Sequence, residues 1–448
     1  MKEYEVVVIG GGPGGYEAAL ELARGGVKTL LIEKTKERIG GTCLNEGCIP
    51  TKNYLQSAEY AAKASYFSSC GLALEFKGLD LGKLAEKTVS LKNEIRSGVV
   101  WLLEQAGVET LYGCASFADA TTLDVSGEKI GFNKAIIATG SQSREISTLP
   151  LDGKQIISSR DVFGLETLPK SIAIVGSGPI GCEFATFFNA FGVEVTLIGR
   201  NPQLLPSEDE DVSKTLLRAF KKNNIRVLTS AVVQKTDVNE SGVTLIMDGE
   251  TQERIECELV LSAIGRDPYT QGLNLENAGV IRNTKGFIEV NSAFQTTEEH
   301  IYALGDCIDT PAFAHTAYAE AKIAAHNILT GEKTANTHIT PSTIFSHPQI
   351  ASCGLREKEA IKQGIAVEVR KALFKVNAKA KILGDDSGFA KIIVCSQSGV
   401  ILGATIIGTQ ATEIIHELVV AVEKKITANE LRAMIHAHPT VSEIVRYL

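Results

Sequence analysis

The chain carries the same local instruction twice. Residues Val6-Val7-Val8-Ile9-Gly10-Gly11-Gly12-Pro13-Gly14-Gly15 read as a buried strand, a tight turn and the start of a helix. Residues Ile172-Ala173-Ile174-Val175-Gly176-Ser177-Gly178-Pro179-Ile180-Gly181 repeat that reading 166 positions later. The strands that follow keep the offset without a gap, Val27-Lys28-Thr29-Leu30-Leu31-Ile32-Glu33 against Val193-Glu194-Val195-Thr196-Leu197-Ile198-Gly199. Two strand–GxGxxG–helix–strand units predict two Rossmann-like, three-layer α/β domains in one chain. In each unit the first glycine (Gly10, Gly176) makes the tight turn. The second (Gly12, Gly178) lets a pyrophosphate approach the backbone, and the third (Gly15, Gly181) lets helix pack on strand. The helix N-terminus then offers unpaired N–H groups and a positive dipole end to the phosphates. A glycine turn with no ligand is the plainer reading of one such match. Two in register, each followed by a strand, make that reading the weaker one.

The repeats differ at their second strands. Glu33 ends the first, where a carboxylate can hold a ribose 2′-OH. Its counterpart is Gly199, followed by Arg200, and a missing acid beside an arginine resembles sites that accept a 2′-phosphate. A solvated surface arginine is the competing reading. Two later segments extend the first site. Ala135-Ile136-Ile137-Ala138-Thr139-Gly140 is an apolar strand ending in small residues. Ile301-Tyr302-Ala303-Leu304-Gly305-Asp306 ends in a Gly-Asp step whose carboxylate can accept from a ribityl hydroxyl, although Gly-Asp alone is commonly a plain turn.

A length of 448 residues exceeds one hydrophobic core, so roughly three domains are expected. Helical periodicity is expected over 51–65 and 79–106, and short strands over 107–134. Pro150 and Pro169 punctuate the link into the second unit, and Thr330-Gly331 marks a helix end and a domain edge. The remainder mixes strands (390–394, 400–407) with a helix (413–423). A net charge of −8 argues against nucleic acid and anionic membrane surfaces as partners. The N-terminus lacks the basic region of a signal peptide, and no apolar run is long enough to span a bilayer. Nine scattered cysteines suit a reducing cytoplasm, where a disulfide is catalytic rather than structural. No metal site is read from the sequence.

One cysteine pair stands apart. Cys43 and Cys48 lie in Gly40-Gly41-Thr42-Cys43-Leu44-Asn45-Glu46-Gly47-Cys48-Ile49-Pro50-Thr51-Lys52, shortly after the first nucleotide fingerprint. Such a pair beside a flavin or nicotinamide turn reads as a redox dithiol. The competing reading is a pair of buried free thiols; the other seven cysteines, without that context, are read as structural. Cys48 precedes a helix, whose dipole and free N–H groups stabilise a thiolate, and Lys52 lies one turn on. Glu183 sits two residues after Gly181, near the phosphate end of the second unit, where a carboxylate needs a cation. Lys52 is the candidate, against a plain surface Glu. Near the C-terminus stands His436-Ala437-His438-Pro439-Thr440-Val441-Ser442-Glu443. Thiol–disulfide exchange needs a base and an acid near pH 7, the role imidazole suits, and Glu443 can orient His438. A lone histidine is more often structural.

Taken together, the dithiol run, both fingerprints, Ala138-Thr139-Gly140, Gly265-Arg266, Ala303-Leu304-Gly305-Asp306 and the C-terminal His-Ala-His-Pro-Thr-Val-Ser-Glu run resemble the pyridine nucleotide–disulfide oxidoreductases over essentially the whole chain. Within that family the dihydrolipoamide dehydrogenases are most similar, through the dithiol run, Leu402-Gly403-Ala404-Thr405-Ile406-Ile407-Gly408 with Ala411-Thr412-Glu413, and the C-terminal run. The resemblance implies an FAD-binding domain from residues 1–145 and 267–335, an NAD(P)-binding domain over 146–266 and a C-terminal α+β dimerisation domain over 336–448. It implies that Gly10, Gly12, Gly15, Glu33, Thr42, Thr139, Gly140 and Asp306 hold FAD. Gly176, Gly178, Gly181, Arg200, Gly265 and Arg266 would hold NAD(H) or NADP(H). Cys43 would exchange with substrate sulfur and Cys48 would face the flavin as a charge-transfer thiolate. Lys52 would pair with Glu183, and His438 with Glu443 would serve the dithiol of the other subunit of a homodimer. The implied partner is a lipoyl domain of a 2-oxo acid dehydrogenase complex or a glycine-cleavage lipoyl carrier.

Several positions depart from the pattern. Gly199-Arg200 replaces the acid expected with NAD, as in glutathione and mercuric reductases, so both nucleotides stay open. Pro179 and Tyr269 replace residues frequent in the family. The C-terminus lacks the vicinal cysteines of mercuric reductases, and Leu20 and Glu21 stand where glutathione reductases resemble an arginine pair. An NADPH-dependent reductase of another disulfide is thus the second reading. A non-catalytic FAD-containing scaffold for lipoyl carriers is the third, and an intact dithiol and dyad argue against it.

Overall fold

Runs of β-branched residues followed by glycine-started helices build two parallel sheets. The computed structural model describes residues 1–73, 75–248 and 253–448. These divide into one unit of Met1–Thr51, Lys83–Arg144 and Arg266–Thr337, and another of Lys52–Gly82, Glu145–Gly265 and His338–Leu448.

In the first unit the central strand Lys2–Ile9 pairs in parallel with Thr29–Glu33 on one side and Glu128–Ile137 on the other. Glu109–Tyr112 extends the first edge and Ile301–Ala303 lies parallel on Glu128–Ile137. Val7, Val8, Leu31 and Ile136 are fully buried, which is why these strands read as continuous rather than alternating apolar runs. Helix Pro13–Arg24 crosses between the first two strands, and its buried Ala18 and Ala19 share a core with Ala321, Ala324 and Ala325 of helix Ala314–Thr330. Gly331 closes that second helix in the left-handed region, φ +78°, at the helix end expected there.

The second unit repeats the sheet. Ser171–Val175 lies between Glu194–Ile198 and Leu259–Ser262, with Arg226–Leu228 and Ile156–Ser158 outside, all parallel. The same unit holds an antiparallel sheet in the order Ser342–Ile344, Ile350–Gly354, Ile401–Ile407, Phe389–Cys395, Val367–Leu373. Helix Ala411–Glu423 covers it through Ile415, Leu418 and Ala421. Buried ion pairs bind the two sheets into one unit. Lys391, 1% exposed, meets Asp209 at 2.8 Å and Asp211 at 3.0 Å, and Arg356 meets Glu208 at 3.1 Å.

Residues 52–82 belong to this second unit rather than with the first fingerprint. The cause is aromatic packing: Tyr54, fully buried, meets Phe163 at 5.2 Å and Phe187 at 5.1 Å between ring centroids. Element ends moved by a few residues, as ends do. The helix expected from 51 begins at Cys48 and runs to Ser69, and that expected over 79–106 is Leu81–Gln105. Among the described residues no helix is long and apolar enough to cross a membrane.

Candidate active site

The repeat holds in three dimensions. Gly10 has φ +105°, and a Cβ there would stand 2.5 Å from the Ala138 carbonyl oxygen; at Gly176, φ +123°, it would stand 2.1 Å from that of Ala263. A Cβ on Gly15 or Gly181 would lie 1.8 Å from the Gly10 or Gly176 oxygen, respectively. Both helices are therefore pressed onto their turns. The middle glycines face room instead: Gly41 Cα, at 3.7 Å, is the nearest atom to a Cβ on Gly12, and Gly178 has nothing within 4 Å. Neither helix has a side-chain cap at its N-terminus, which leaves first-turn N–H groups for an anion.

Around the first cradle the expected residues converge. Glu33, 9% exposed, accepts from Gly11 N–H at 2.8 Å and from Lys34 N–H at 2.6 Å. The buried Thr139 hydroxyl has no protein partner, and Thr139 Cα lies 3.2 Å from where a Gly10 Cβ would be. Asp306 accepts from Ser141 Oγ at 2.6 Å. Its neighbour Gly305 donates to Glu320 at 2.7 Å, a buried carboxylate whose pKa burial pushes up. An open glycine cradle, an anchored carboxylate and an orphaned buried hydroxyl fit a dinucleotide of the FAD type.

Arg266 makes its side-chain hydrogen bonds within the first unit. Its Nε donates to Ser141 Oγ at 2.7 Å and its Nη2 to the Ser141 carbonyl at 2.7 Å, beside Asp306 in the first unit. The chain has already left the second sheet at Gly265, and Arg266–Pro268 pairs antiparallel with Ser141–Ser143. Gly176, Gly178, Gly181 and exposed Arg200 stay in the second unit, as does Gly265.

The dithiol spans two short helical starts. Cys43, half-buried, lies in helix Gly41–Glu46 with Thr42, and exposed Cys48 opens helix Cys48–Ser69. Gly47 between them must lack a side chain, because a Cβ would meet the Thr42 oxygen at 2.8 Å and Cys43 Cα at 3.2 Å. Cys48 thus stands at a helix N-terminus, where a thiolate is favoured. A Cβ on Gly41 would lie 2.6 Å from Gly12 Cα, so the dithiol helix begins on the first nucleotide cradle.

Lys52 and Glu183 are brought together. Lys52 Nζ donates to both carboxylate oxygens at 2.9 Å, and Phe345 N–H adds a third bond at 2.9 Å. Glu183 is buried, and it is this ammonium and N–H that let a carboxylate be tolerated near the second helix start. His438 Nδ1 lies 3.1 Å from each oxygen of Glu443. The Thr440 N–H at 3.0 Å, then His438, hold the Glu443 carboxyl below its ordinary range. The His438 side chain is 71% exposed, so its other nitrogen is open to a reactant.

The seven remaining cysteines are not all alike. Burial pushes the thiols of Cys182, Cys257, Cys307 and Cys353 up, as inert core thiols should be. Cys70 and Cys114 are exposed and Cys395 half-buried, so core packing does not account for those three.

Other residues at the dithiol escaped the sequence reading. Asn45 Nδ2 donates to the carbonyls of Arg38 and Ile39, each at 3.2 Å, and of Gly41 at 2.9 Å. Arg96 donates to Asn45 Oδ1, and Lys92 to the Asn45 carbonyl at 3.0 Å. Asn45 lay inside the motif, but nothing in helix Leu81–Gln105 marked Lys92 and Arg96. Tyr16 and Tyr318 share a hydroxyl–hydroxyl hydrogen bond; burial pushes both phenols up, with a further push from Cys43.

Comparison with known proteins agrees along the whole chain. Residues 4–321 match the family model described as pyridine nucleotide-disulphide oxidoreductase, and residues 340–448 match its dimerisation domain, which supports a homodimer. Dihydrolipoyl dehydrogenase of Chlamydia pneumoniae is 36% identical over 99% of this chain and 95% of its own. That of Chlorobaculum tepidum is 37% identical over 99% and 96%. Among solved structures, LpdA of Mycobacterium tuberculosis has a TM-score of 0.91 at 27% identity, covering 100% of this chain and 98% of that one. The HOCl-induced flavoprotein disulfide reductase RclA of Escherichia coli has a TM-score of 0.89 at 26% identity, covering 98% of each.

Proposed function

The chain belongs to the pyridine nucleotide-disulphide oxidoreductases, flavoenzymes that use FAD and a nicotinamide nucleotide, and from that premise we propose that it is a dihydrolipoyl dehydrogenase acting through Cys43 and Cys48. The observation that carries the reading is the seating of the Cys43 helix on the first nucleotide cradle, with a second cradle in the same chain. FAD, when bound at the first cradle, supplies a two-electron carrier between the dithiol and the nicotinamide nucleotide.

The chain's own residues handle sulfur and protons. His438 takes a proton at Nε2 from a thiol of dihydrolipoamide, its Nδ1 being held by Glu443. The substrate thiolate attacks Cys43 Sγ of the oxidised pair, forming a mixed disulfide and releasing Cys48 as a thiolate. The second substrate thiol displaces Cys43, which leaves protonated. Products are the cyclic disulfide, a Cys43 thiol, a Cys48 thiolate and one proton on His438. The helix start at Cys48 stabilises that thiolate. The Lys52–Glu183 pair is a positioning element that fixes the helix opened by Cys48. In the dimer, the dyad of one protomer serves the dithiol of the other. The dithiol substrate is carried on a lipoyl domain of a 2-oxo acid dehydrogenase complex or a glycine-cleavage carrier.

The test is initial-rate kinetics of the purified flavoprotein with dihydrolipoamide and NAD⁺ or NADP⁺. Turnover with one nucleotide, abolished in Cys48→Ser, is expected; no turnover with either refutes the assignment. Gly199-Arg200 favours a second reading, an NADPH-dependent reductase of another disulfide. Faster NADPH oxidation with glutathione disulfide than with lipoamide would select it.

A further inference from the structure

The two cradles solve the end of their second strand in opposite ways, and the difference lies in a pair of residues. In the first, position 11 is glycine and position 33 is glutamate, whose carboxylate comes back to accept from Gly11 N–H at 2.8 Å. In the second, the equivalent positions exchange their bulk: 177 is serine and 199 is glycine. Gly199 is not among the residues with positive φ, so its backbone conformation does not call for glycine. What calls for it is Ser177. A Cβ on residue 199 would stand 2.3 Å from Ser177 Oγ and 2.7 Å from Ser177 Cβ. Rotating the serine hydroxyl relieves the first contact and leaves the second.

Neither backbone is free to retreat. Gly199 N–H donates to Leu228 O at 2.8 Å, its carbonyl accepts from Ala231 N–H at 3.0 Å, and the Ser177 carbonyl accepts from Leu205 N–H at 2.9 Å. Ser177 is itself 5% exposed. The first cradle is closed to the reverse arrangement: a Cβ on Gly11 would meet Ile39 Cδ1 at 2.9 Å and Glu33 Oε2 at 3.3 Å.

We propose that Ser177 is a specificity-determining residue of the second cradle: it occupies the space of any side chain at position 199, bars a ribose-binding carboxylate there and leaves the 2′ position of the adenosine ribose to Arg200, so that the protein takes a 2′-phosphorylated nicotinamide nucleotide in preference to the plain one. The inference rests on reading the second cradle as the nicotinamide nucleotide site, and it is independent of which disulfide is the substrate. An exposed Arg200 gains a charge-assisted, bidentate partner from a 2′-phosphate and none from a 2′-hydroxyl. Without an acid at 199, nothing at that position rewards the hydroxyl or repels the phosphate.

Two measurements on the flavin-loaded protein test this, neither containing a disulfide substrate. The first is calorimetric binding of adenosine 2′,5′-bisphosphate against 5′-AMP. The second is stopped-flow bleaching of the flavin by NADPH against NADH. The wild type is expected to prefer the 2′-phosphorylated partner at least about tenfold in both. Arg200→Ala should lower that ratio about tenfold, and it replaces an exposed side chain, so it reads the phosphate contact without a packing change. Gly199→Glu alone should lose affinity for both nucleotides or fail to accumulate as a folded flavoprotein. Ser177→Gly with Gly199→Glu should fold and move the ratio at least about thirtyfold toward NADH relative to wild type. The proposal is overturned if 5′-AMP binds as tightly as the bisphosphate, if Arg200→Ala leaves the ratio unchanged, or if Gly199→Glu alone shifts preference as far as the double variant. Failure of lipoamide turnover would refute the disulfide assignment and leave these two measurements untouched.

Discussion

Lys52→Met should loosen the region around helix Cys48–Ser69 by an amount the structure sets. The Glu183 side chain is 5% exposed, and three hydrogen bonds from two donors hold it: Lys52 Nζ on both oxygens at 2.9 Å and Phe345 N–H at 2.9 Å. Removing the ammonium leaves a buried charge with one N–H. Breaking a fully buried pair this way costs about 3–5 kcal/mol. Here the Lys52 side chain is 33% exposed, so water already screens part of the pair, and the Phe345 bond survives. Both reduce the loss to about 2–3 kcal/mol. That corresponds to roughly a 30- to 150-fold rise in local opening. Hydrogen exchange at neutral pH, read by mass spectrometry on peptides from Cys48–Ser69 and Pro179–Ala190, measures it directly. Lys52→Met with Glu183→Leu should recover most of the protection, since no buried charge remains. Less than a threefold change in Lys52→Met, or a double variant as loose as the single, would refute the reasoning.

Three further outcomes follow from the geometry. Gly15→Ala, whose Cβ would lie 1.8 Å from a backbone oxygen, should yield protein that does not retain flavin, whereas Gly178→Ala, with nothing within 4 Å, should fold with flavin bound and show a raised KM for the nicotinamide nucleotide; absorbance per mole of protein and initial rates separate them. Glu443→Gln should lower kcat about 10²- to 10⁴-fold with flavin content unchanged. Because Thr440 N–H and His438 hold the Glu443 carboxyl below its ordinary range, its contribution is present above the pKa of an unfolded glutamate and is lost only as pH falls through the depressed value. The Glu443 carboxylate itself should therefore add no titration to the wild-type rate between pH 5 and 8. Asn45→Ala leaves three carbonyls without their donor and should destabilise the dithiol turn by about 1–3 kcal/mol, read as faster alkylation of Cys43 and Cys48 in the reduced protein.

Local signals in the sequence were sufficient for the parts of the fold that depend on neighbours along the chain. The glycine fingerprints announced both cradles because only glycine tolerates a Gly10 φ of +105° and a contact as close as that at Gly15. Lys52 was legible only as a candidate partner for Glu183, since a carboxylate near a phosphate site needs a cation, and a plain surface Glu stayed open until the two were found 2.9 Å apart. What the sequence concealed is set by long-range packing. Arg266 sits next to Gly265 in the chain, yet its side chain works 125 residues away at Ser141. Residues 52–82 joined the second unit because Tyr54 is buried among Phe163 and Phe187, which no periodicity encodes. Nothing in the sequence marks Glu320, whose buried carboxylate accepts from the Gly305 N–H. Gly199 read as a missing acid, and the close approach of Ser177 to it shows only in the fold.

In the proposed reaction Cys43 and Cys48 form the redox dithiol that exchanges electrons with the flavin. Differential thiol alkylation tests it most directly: the air-oxidised flavoprotein is treated anaerobically with one equivalent of reduced nicotinamide nucleotide, alkylated and mapped by mass spectrometry. The peptide bearing Cys43 and Cys48 should change from unlabelled to doubly labelled, with the other seven cysteines unchanged. An unchanged 43–48 peptide, with the flavin reduced, would contradict it.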